Sequence, residues 1–278
     1  MQELNLKEIQ QAELENLISL DRICKSEGFT YYLAYGTLIG AIRNKGFIPW
    51  DDDTDVWMPR SDYDRFIEYC QSHAKELGPL KLCTRVNTPK YPYGIARLSD
   101  TRYKYVTINS YEEQFELGVF TDIYPLDNMG NDDNIDCIKK LRNYNDKQNI
   151  AYTKYCSRSS TNKLKGLLKS IRYMLLHLIH GIDYSNYAKK INNNILGAIE
   201  KYTSSDDKYM GLIAWNTTAF RRYRKSDFSK SILVDFENKK LPAPVGYDRI
   251  LRQTYGDYMK LPPESERHPQ HGYKIFRK

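Results

Sequence analysis

An α+β fold, built as a mixed β-sheet flanked by helices, is predicted by three observations. The chain reads helix, strand, helix, strand, helix over residues 6–77, and strand-like segments follow over 80–124. From 131 to about 210 the pattern turns helical, polar and lysine-rich, which reads as a helical insert beside that sheet. Hydrophobic residues make up 41% of the 278 positions, enough to bury a sizeable core.

Taken in order, residues 6–27 place Leu6, Ile9, Leu14, Leu17, Ile18, Leu20 and Ile23 at helical spacings, and Gly28 ends that helix. YYLAYGTL (31–38) reads as a strand closing on a Gly-Thr turn. LIGAIRNKG (38–46) reads as a short helix stopped by Gly46. An acidic strand over 51–58 comes next. Pro59 and Ser61 then open a helix over 61–77, broken at Gly78-Pro79. Strand candidates lie at 80–86, 93–98, 103–108 and 115–124. The last part holds a strand or loop around Trp215, a helix over 248–260 and a polar tail. The expected organisation is a core over 1–130, an insert over 131–210 and a completing segment over 211–278.

Lys plus Arg total 42 against 35 Asp plus Glu, so the net charge of +7 suits an anionic partner. The five cysteines, Cys24, Cys70, Cys83, Cys137 and Cys156, form no C-x-x-C pair. Reduced thiols in the cytoplasm are expected, rather than a disulfide framework or a zinc knuckle. MQELNLKEIQ is unlike a signal peptide, and no run of about 18 apolar residues predicts a membrane span.

The stretch GFIPWDDDTDVWMPR (46–60) raises the chemical question, because Asp51, Asp52, Asp53 and Asp55 crowd like charges together. On a strand, Asp51, Asp53 and Asp55 would share one face. Such carboxylates can converge on divalent cations, which remove the repulsion and bind phosphate oxygens. The plainer reading is a solvated acidic loop. Ile48, Pro49 and Trp50 before the run, and Val56, Trp57 and Met58 after it, favour a semi-buried strand end. Gly36-Thr37 adds a place for a phosphate at a helix start. In FTDIYPLDN (120–128), Asp122 lies among apolar neighbours, and a buried lone carboxylate is costly unless paired or metal-bound. Asp122 is thus a third ligand or a general base, against the alternative of a structural hydrogen bond. Asp127 is expected to cap a turn.

AYGTLIGAIRNKGFIPWDDDTDVWMPRSDYDRF (34–66) closely resembles the signature of the LicD family of phosphotransferases. FTDIYPLDN and PVGYDRILRQTYGDYMKLPPESERH, within 242–268, resemble its second and third blocks. The family is known for moving phosphocholine from CDP-choline onto cell-surface glycans such as lipopolysaccharide or teichoic acid. The resemblance implies a nucleotidyltransferase-like fold, with Asp53 and Asp55 binding Mg²⁺ or Mn²⁺ and Asp122 as third carboxylate. It implies Gly36 and Thr37 as the phosphate-facing turn, with Asp51 as an additional metal-ligand candidate. A CDP-linked alcohol donor and a glycan or glycolipid acceptor are the implied partners, and nucleic acid is not. Trp57-Met58 departs from the family pattern and weakens transfer of the substrate by analogy. No motif matches 131–240.

Arg43 and Lys45 could neutralise a diphosphate, or be ordinary cations after a helix. Arg267 and His268 are candidates to approach a phosphate. His268 and His271 form H-x-x-H, but Pro269 argues against a helical metal pair. His177 and His180 read as polar-face residues. The segment 163–182 is basic and amphipathic, which suits either core packing or peripheral contact with the inner membrane face. A choline headgroup would need aromatic faces, for which Trp50, Trp57, Tyr93, Tyr124 and Trp215 are candidates. Nucleotidyl transfer from an NTP and a non-catalytic basic adaptor are the competing readings.

Overall fold

After strand β1 (Gln2–Glu3), helix α1 (Leu6–Glu27) begins at a capping box. The Glu8 N–H donates to Asn5 Oδ1 at 3.1 Å, and the Asn5 N–H donates to Glu8 Oε2 at 2.8 Å. Such a cap stabilises a helix start by about 1 kcal/mol. Gly28 ends the helix in the left-handed region (φ 68°), as its position in the sequence predicts. Leu14, Leu17, Leu20 and Ile23 enter the main core, and the helix also buries Gln10, Glu13 and Asn16. The computed structural model describes residues 1–91, 93–107, 112–132, 135–136, 138–140, 168, 171, 174–175, 178, 184–213, 221–269 and 271–278.

Strand β2 is Tyr32–Leu33, shorter than the predicted 31–38, because Tyr35 turns the chain in the left-handed region (φ 42°) and helix α2 (Tyr35–Ile39) starts there. Gly36 and Thr37 therefore lie in the first turn of a helix. A π-helical turn (Gly40–Asn44) continues α2, and Lys45 (φ 61°) makes the left-handed stop in place of Gly46. Strand β3 spans Thr54–Pro59, so Asp51, Asp52 and Asp53 are loop residues. The predicted strand alternation of Asp51, Asp53 and Asp55 does not hold. Side chains satisfy the loop carbonyls: Gln10 Nε2 donates to Ile48 O at 3.3 Å and Asp51 O at 2.9 Å, and Tyr273 OH donates to Asp52 O at 2.6 Å.

Helix α3 (Arg60–Ser72) follows at once, and β4 (Leu80–Cys83), β5 (Ala96–Asp100), β6 (Tyr103–Thr107) and β7 (Val119–Asn128) fall near the four predicted strands. Helix α4 (Tyr184–Tyr202), β8 (Tyr209–Gly211) and β9 (Tyr223–Arg224) come next. The hairpin β10 (Ser231–Phe236) and β11 (Lys239–Pro244) precedes α5 (Tyr247–Tyr255), and β12 (Tyr273–Arg277) closes the order. The polar tail thus includes a strand.

The central sheet runs β2-β3-β7-β5-β4, with β8 and β9 added at the end of β7. Strands β3 and β7 are parallel and the other pairs antiparallel, so the sheet is mixed and the fold is α+β. In a separate three-stranded sheet β12 lies between β1 and β6. The parallel register sets Thr54 beside Thr121 and Asp55 beside Asp122, and β5 sets Arg97 beside Asp122. Trp57, Phe66, Leu17, Leu20, Leu33 and Leu38 fill the core beside this pair of strands. Asp127 is fully buried and accepts from Arg60 Nε at 2.6 Å, an ion pair rather than the predicted turn cap.

Among the described residues no helix is long and apolar enough to cross a membrane. In the segment 163–182, Leu168, Ile171, Met174, Leu175 and Leu178 are helical and exposed. His177, His180 and Trp215 lie outside the described residues.

Candidate active site

Elements α1, α2, β3, β7 and β12 converge on the loop that carries Asp51, Asp52 and Asp53. Gly36 at the start of α2 lies against Asp51, and a Cβ there would come 2.7 Å from Asp51 Oδ2. Thr37 is buried, and its Oγ1 accepts the Asp55 N–H at 2.8 Å. Thr37 thereby ties the first turn of α2 to the start of β3. Asp55 is buried, and its Oδ1 has no hydrogen-bond partner among the described residues. An orphaned buried oxygen of this kind costs free energy unless a ligand satisfies it.

Burial pushes the Asp51 carboxyl up to about 8, and the Asp53 and Asp52 carboxylates reinforce the shift. Asp53 is pushed up to about 6 by burial, with His271 opposing the shift and Asp122 adding to it. Asp55 is raised well above the usual carboxylate range by burial first, then by Asp53, Asp122 and Asp51. The charges of Asp51, Asp53, Asp55 and Asp122 therefore act on one another, while among the described residues the ligand atoms that gather closely are those of Asp52, Asp53 and His271. The negative charge of these carboxylates is only partly offset. Asp52 is buried and bonded to His271 Nδ1 at 2.8 Å, and His271 Nε2 lies 3.5 Å from Asp53 Oδ2. Asp52, Asp53 and His271 each offer a ligand atom within 4.8 Å of the others, so an acidic group able to hold a metal ion is present. The bond to Asp52 raises the His271 imidazole to about 9; burial opposes this, and Asp53 adds to it.

Asp122 is held by Arg97, whose Nε donates to Asp122 Oδ1 at 2.7 Å. The Arg97 guanidinium also lies 4.3 Å from the Tyr93 ring centroid and 4.1 Å from that of Phe120. Glu112 lies 3.8 Å from Arg97 Nη1 and accepts from the Tyr93 and Tyr105 hydroxyls.

A cavity of about 550 Å³ is lined by Arg43, Trp50, Tyr255, Tyr258, Leu261 and Pro262, among others. Trp50 precedes Asp51 in the chain. Through Trp50 the cavity adjoins the acidic loop, and Tyr255 of its lining is exposed. Arg43 Nη1 donates to Tyr258 O at 2.9 Å, and the Asp51 charge acts on its guanidinium. A second cavity of about 350 Å³, lined by Arg60, Tyr63, Arg85 and Tyr93 among others, carries none of the acidic-loop residues.

Not every sequence candidate reaches the group. Lys45 is exposed at the end of the π-helical turn, and its charge acts on Asp235 of β10. Arg267 lies over Trp50, 5.9 Å from the ring centroid, and Nε donates to Pro262 O at 2.9 Å. His268 is exposed, with Nδ1 3.1 Å from Pro269 O; His271 is the tail histidine that meets the carboxylates. Of the aromatic candidates, Trp50 lines the cavity, Trp57 and Tyr124 are buried in the core, and Tyr93 packs on Arg97. Sequence reasoning missed Gln10, Glu13, Arg97, His271 as a partner of Asp52, and Tyr273. A polar residue on the apolar stripe of α1, or an arginine inside the strand ARLSD (96–100), was the available signal.

The family model described as "LicD/FKTN/FKRP, nucleotidyltransferase domain" matches residues 28–126. A Haemophilus influenzae protein named "Lipopolysaccharide cholinephosphotransferase LicD" is 30% identical over 273 residues, covering 98% of this chain and 97% of the relative. The chain belongs to the LicD family. The LicD match takes in Gly36, Thr37, Asp51 to Asp55, Arg97 and Asp122. It leaves out Gln10 and Glu13 of α1 and His271, so this LicD chain assembles its acidic group partly from residues outside the matched domain.

Proposed function

We propose that this LicD-family chain transfers phosphocholine from CDP-choline to a hydroxyl of lipopolysaccharide or its lipid-linked precursor, releasing CMP. The observation that carries this reading is the end-to-end likeness to a lipopolysaccharide cholinephosphotransferase, 30% identical over 98% of the chain. The chemistry of the site supports it. Asp53, Asp55 and Asp122, with Asp51 beside them, suit a divalent cation, because Asp55 Oδ1 lacks a partner and the group repels itself. Bound there, Mg²⁺ or Mn²⁺ supplies Lewis-acid contact for the donor diphosphate and the charge that develops on it.

The remaining work falls to side chains. Arg43 adds positive charge beside the diphosphate. Arg97 fixes the direction of Asp122, whose Oδ2 lies 3.5 Å from Tyr124 OH and takes the proton of the attacking hydroxyl. The hydroxyl oxygen bonds to the distal phosphorus as the phosphorus–oxygen bond to CMP breaks. Positioning and electrostatics suffice for such a step. The faces of Trp50, Tyr255 and Tyr258 take the trimethylammonium headgroup in the adjoining cavity. The enzyme works in the cytoplasm, at the membrane face where a lipid-linked acceptor is presented.

The test is to incubate the purified chain with CDP-choline, a divalent cation and lipopolysaccharide lacking phosphocholine. Release of CMP with choline label in the lipopolysaccharide is expected. Pyrophosphate release from CTP, with CDP-choline untouched, would replace this reading by nucleotidyl transfer.

A further inference from the structure

We infer that His271 is a metal ligand of the acidic group through Nε2, with Asp52 as the carboxylate that orients it. The cation is therefore one that accepts nitrogen, of the Mn²⁺ class, in preference to Mg²⁺. This rests on reading the acidic loop as a cation site, and not on which group is transferred.

The geometry is that of a carboxylate–histidine–metal arrangement. The two imidazole nitrogens face different carboxylates. Nδ1 lies 2.8 Å from Asp52 Oδ1, a hydrogen-bond distance, and an ionised carboxylate can only accept, so the ring proton sits on Nδ1. In neutral imidazole that leaves the lone pair on Nε2. Nε2 lies 3.5 Å from Asp53 Oδ2, long for a hydrogen bond and suited to two ligands of one ion. Metal-bound histidines usually hold their other nitrogen in this way.

Asp52 is built for orientation. Its carboxylate is buried, and its backbone oxygen accepts from Tyr273 OH at 2.6 Å. The Tyr273 ring also stacks on His271, with centroids 5.5 Å apart and planes at 17°. Tyr273 begins β12, whose pairing with β1 and β6 fixes it in register. One side chain, Tyr273, therefore holds both the loop backbone and the ring. A second observation points to a ligand in the same place. Asp55, two residues along the chain from Asp53 at the start of β3, has a buried Oδ1 with no hydrogen-bond partner among the described residues. Hard Mg²⁺ takes oxygen ligands, whereas an imidazole beside carboxylates favours a first-row transition cation.

The experiment uses the full chain without substrate. Mn²⁺ and Mg²⁺ are titrated calorimetrically, and the Mn²⁺-loaded protein is examined by pulsed electron paramagnetic resonance for ¹⁴N coupling. We expect Mn²⁺ to bind more tightly than Mg²⁺, with a ¹⁴N signal from a directly bound imidazole. His271→Phe keeps a ring against Tyr273 but offers no nitrogen. It should lose the ¹⁴N signal and weaken Mn²⁺ about 10–100-fold, while Mg²⁺ binding changes far less. Asp52→Asn should weaken Mn²⁺ while retaining the ¹⁴N signal. Mn²⁺ bound by the wild type without ¹⁴N coupling would make His271 a clamp on Asp52 and overturn the inference. That result leaves the cation site standing if Asp55→Asn abolishes binding. Failure of the wild type to bind either cation would overturn both this inference and the metal reading beneath it.

Discussion

Asp55 shows how a single side chain can serve chemistry at the expense of the fold. Its carboxylate is buried, leaves Oδ1 unpartnered and is opposed by Asp53, Asp122 and Asp51. Asp55→Asn keeps the shape and removes the charge. We predict a fall in turnover of roughly 100-fold or more, because a metal-ligand position is lost. The same change should raise the melting temperature of the metal-free protein by about 2–4 °C, the shift a ~1 kcal/mol gain gives in a chain of this size. Thermal melts with chelator and CMP-release rates check the two halves together; a fall in both would mean that Asp55 supports the fold. Gly36 makes the complementary case. A Cβ there would meet Asp51 Oδ2 at 2.7 Å, the far end of a side chain that can swing away. Gly36→Ala should therefore leave the unfolding free energy within about 0.5 kcal/mol of wild type, while displacing Asp51 and lowering turnover about 10-fold. A large loss of stability would show that backbone, not Asp51, occupies that space.

Among the elements, the polar stripe of α1 does what the sequence pattern hides. Asn16 Nδ2 donates to Leu98 O at 2.8 Å and to Thr121 Oγ1 at 3.0 Å. Thr121 and Thr54 hydroxyls lie 2.9 Å apart, and Thr54 donates to Glu13 Oε2 at 2.6 Å. This buried relay ties α1 across the parallel pair β3 and β7, on which Asp55 and Asp122 stand. Thr54→Val keeps the volume and strips Glu13 and Thr121 of a partner. It should cost about 1–3 kcal/mol in urea denaturation, and adding Glu13→Leu should return part of it. An unchanged midpoint for Thr54→Val would dismiss the relay as a support. The helix itself was legible, because seven apolar residues at helical spacings and Gly28 are local signals. The acidic run and Asp122 were legible for the same reason, as charges set among apolar neighbours. What was not legible is what distant residues decide. Asp51 and Asp53 left the strand because Gln10 and Tyr273 satisfy the loop carbonyls. Asp127 pairs with Arg60, 67 residues away, and Asp122 pairs with Arg97 across strands. The hairpin β10–β11 and strand β12 are short, and short alternating runs compete poorly with turn residues in a single sequence.

At the scale of the whole molecule, the first and last strands share one sheet, with β12 lying between β1 and β6. Tyr273 at the start of β12 and Gln10 of α1 thereby grip the same acidic loop from distant parts of the chain. Folding this LicD chain therefore gathers charge before any cation arrives, and its stability must depend on pH. Asp51 rises from 3.8 to about 8 on folding, and Asp53 from 3.8 to about 6. A carboxyl whose pKa rises on folding contributes stability that is present below pH 3.8 and lost as pH climbs through its folded value. His271, raised from 6.5 to about 9, contributes stability that is full below pH 6.5 and lost by about pH 9. All three groups have the same sign, so the metal-free protein should melt progressively lower from about pH 5 to about pH 9. A cation reverses the slope, because it binds the deprotonated group and stabilises the folded state by mass action. Millimolar Mn²⁺ should thus raise the melting temperature more near about pH 8.5 than near about pH 5.5. A chelator should restore the metal-free curve. Melts that fall equally with and without Mn²⁺ would mean that the carboxylates are protonated or paired within the protein alone, and the acidic group would lose its reason to exist as a cation site.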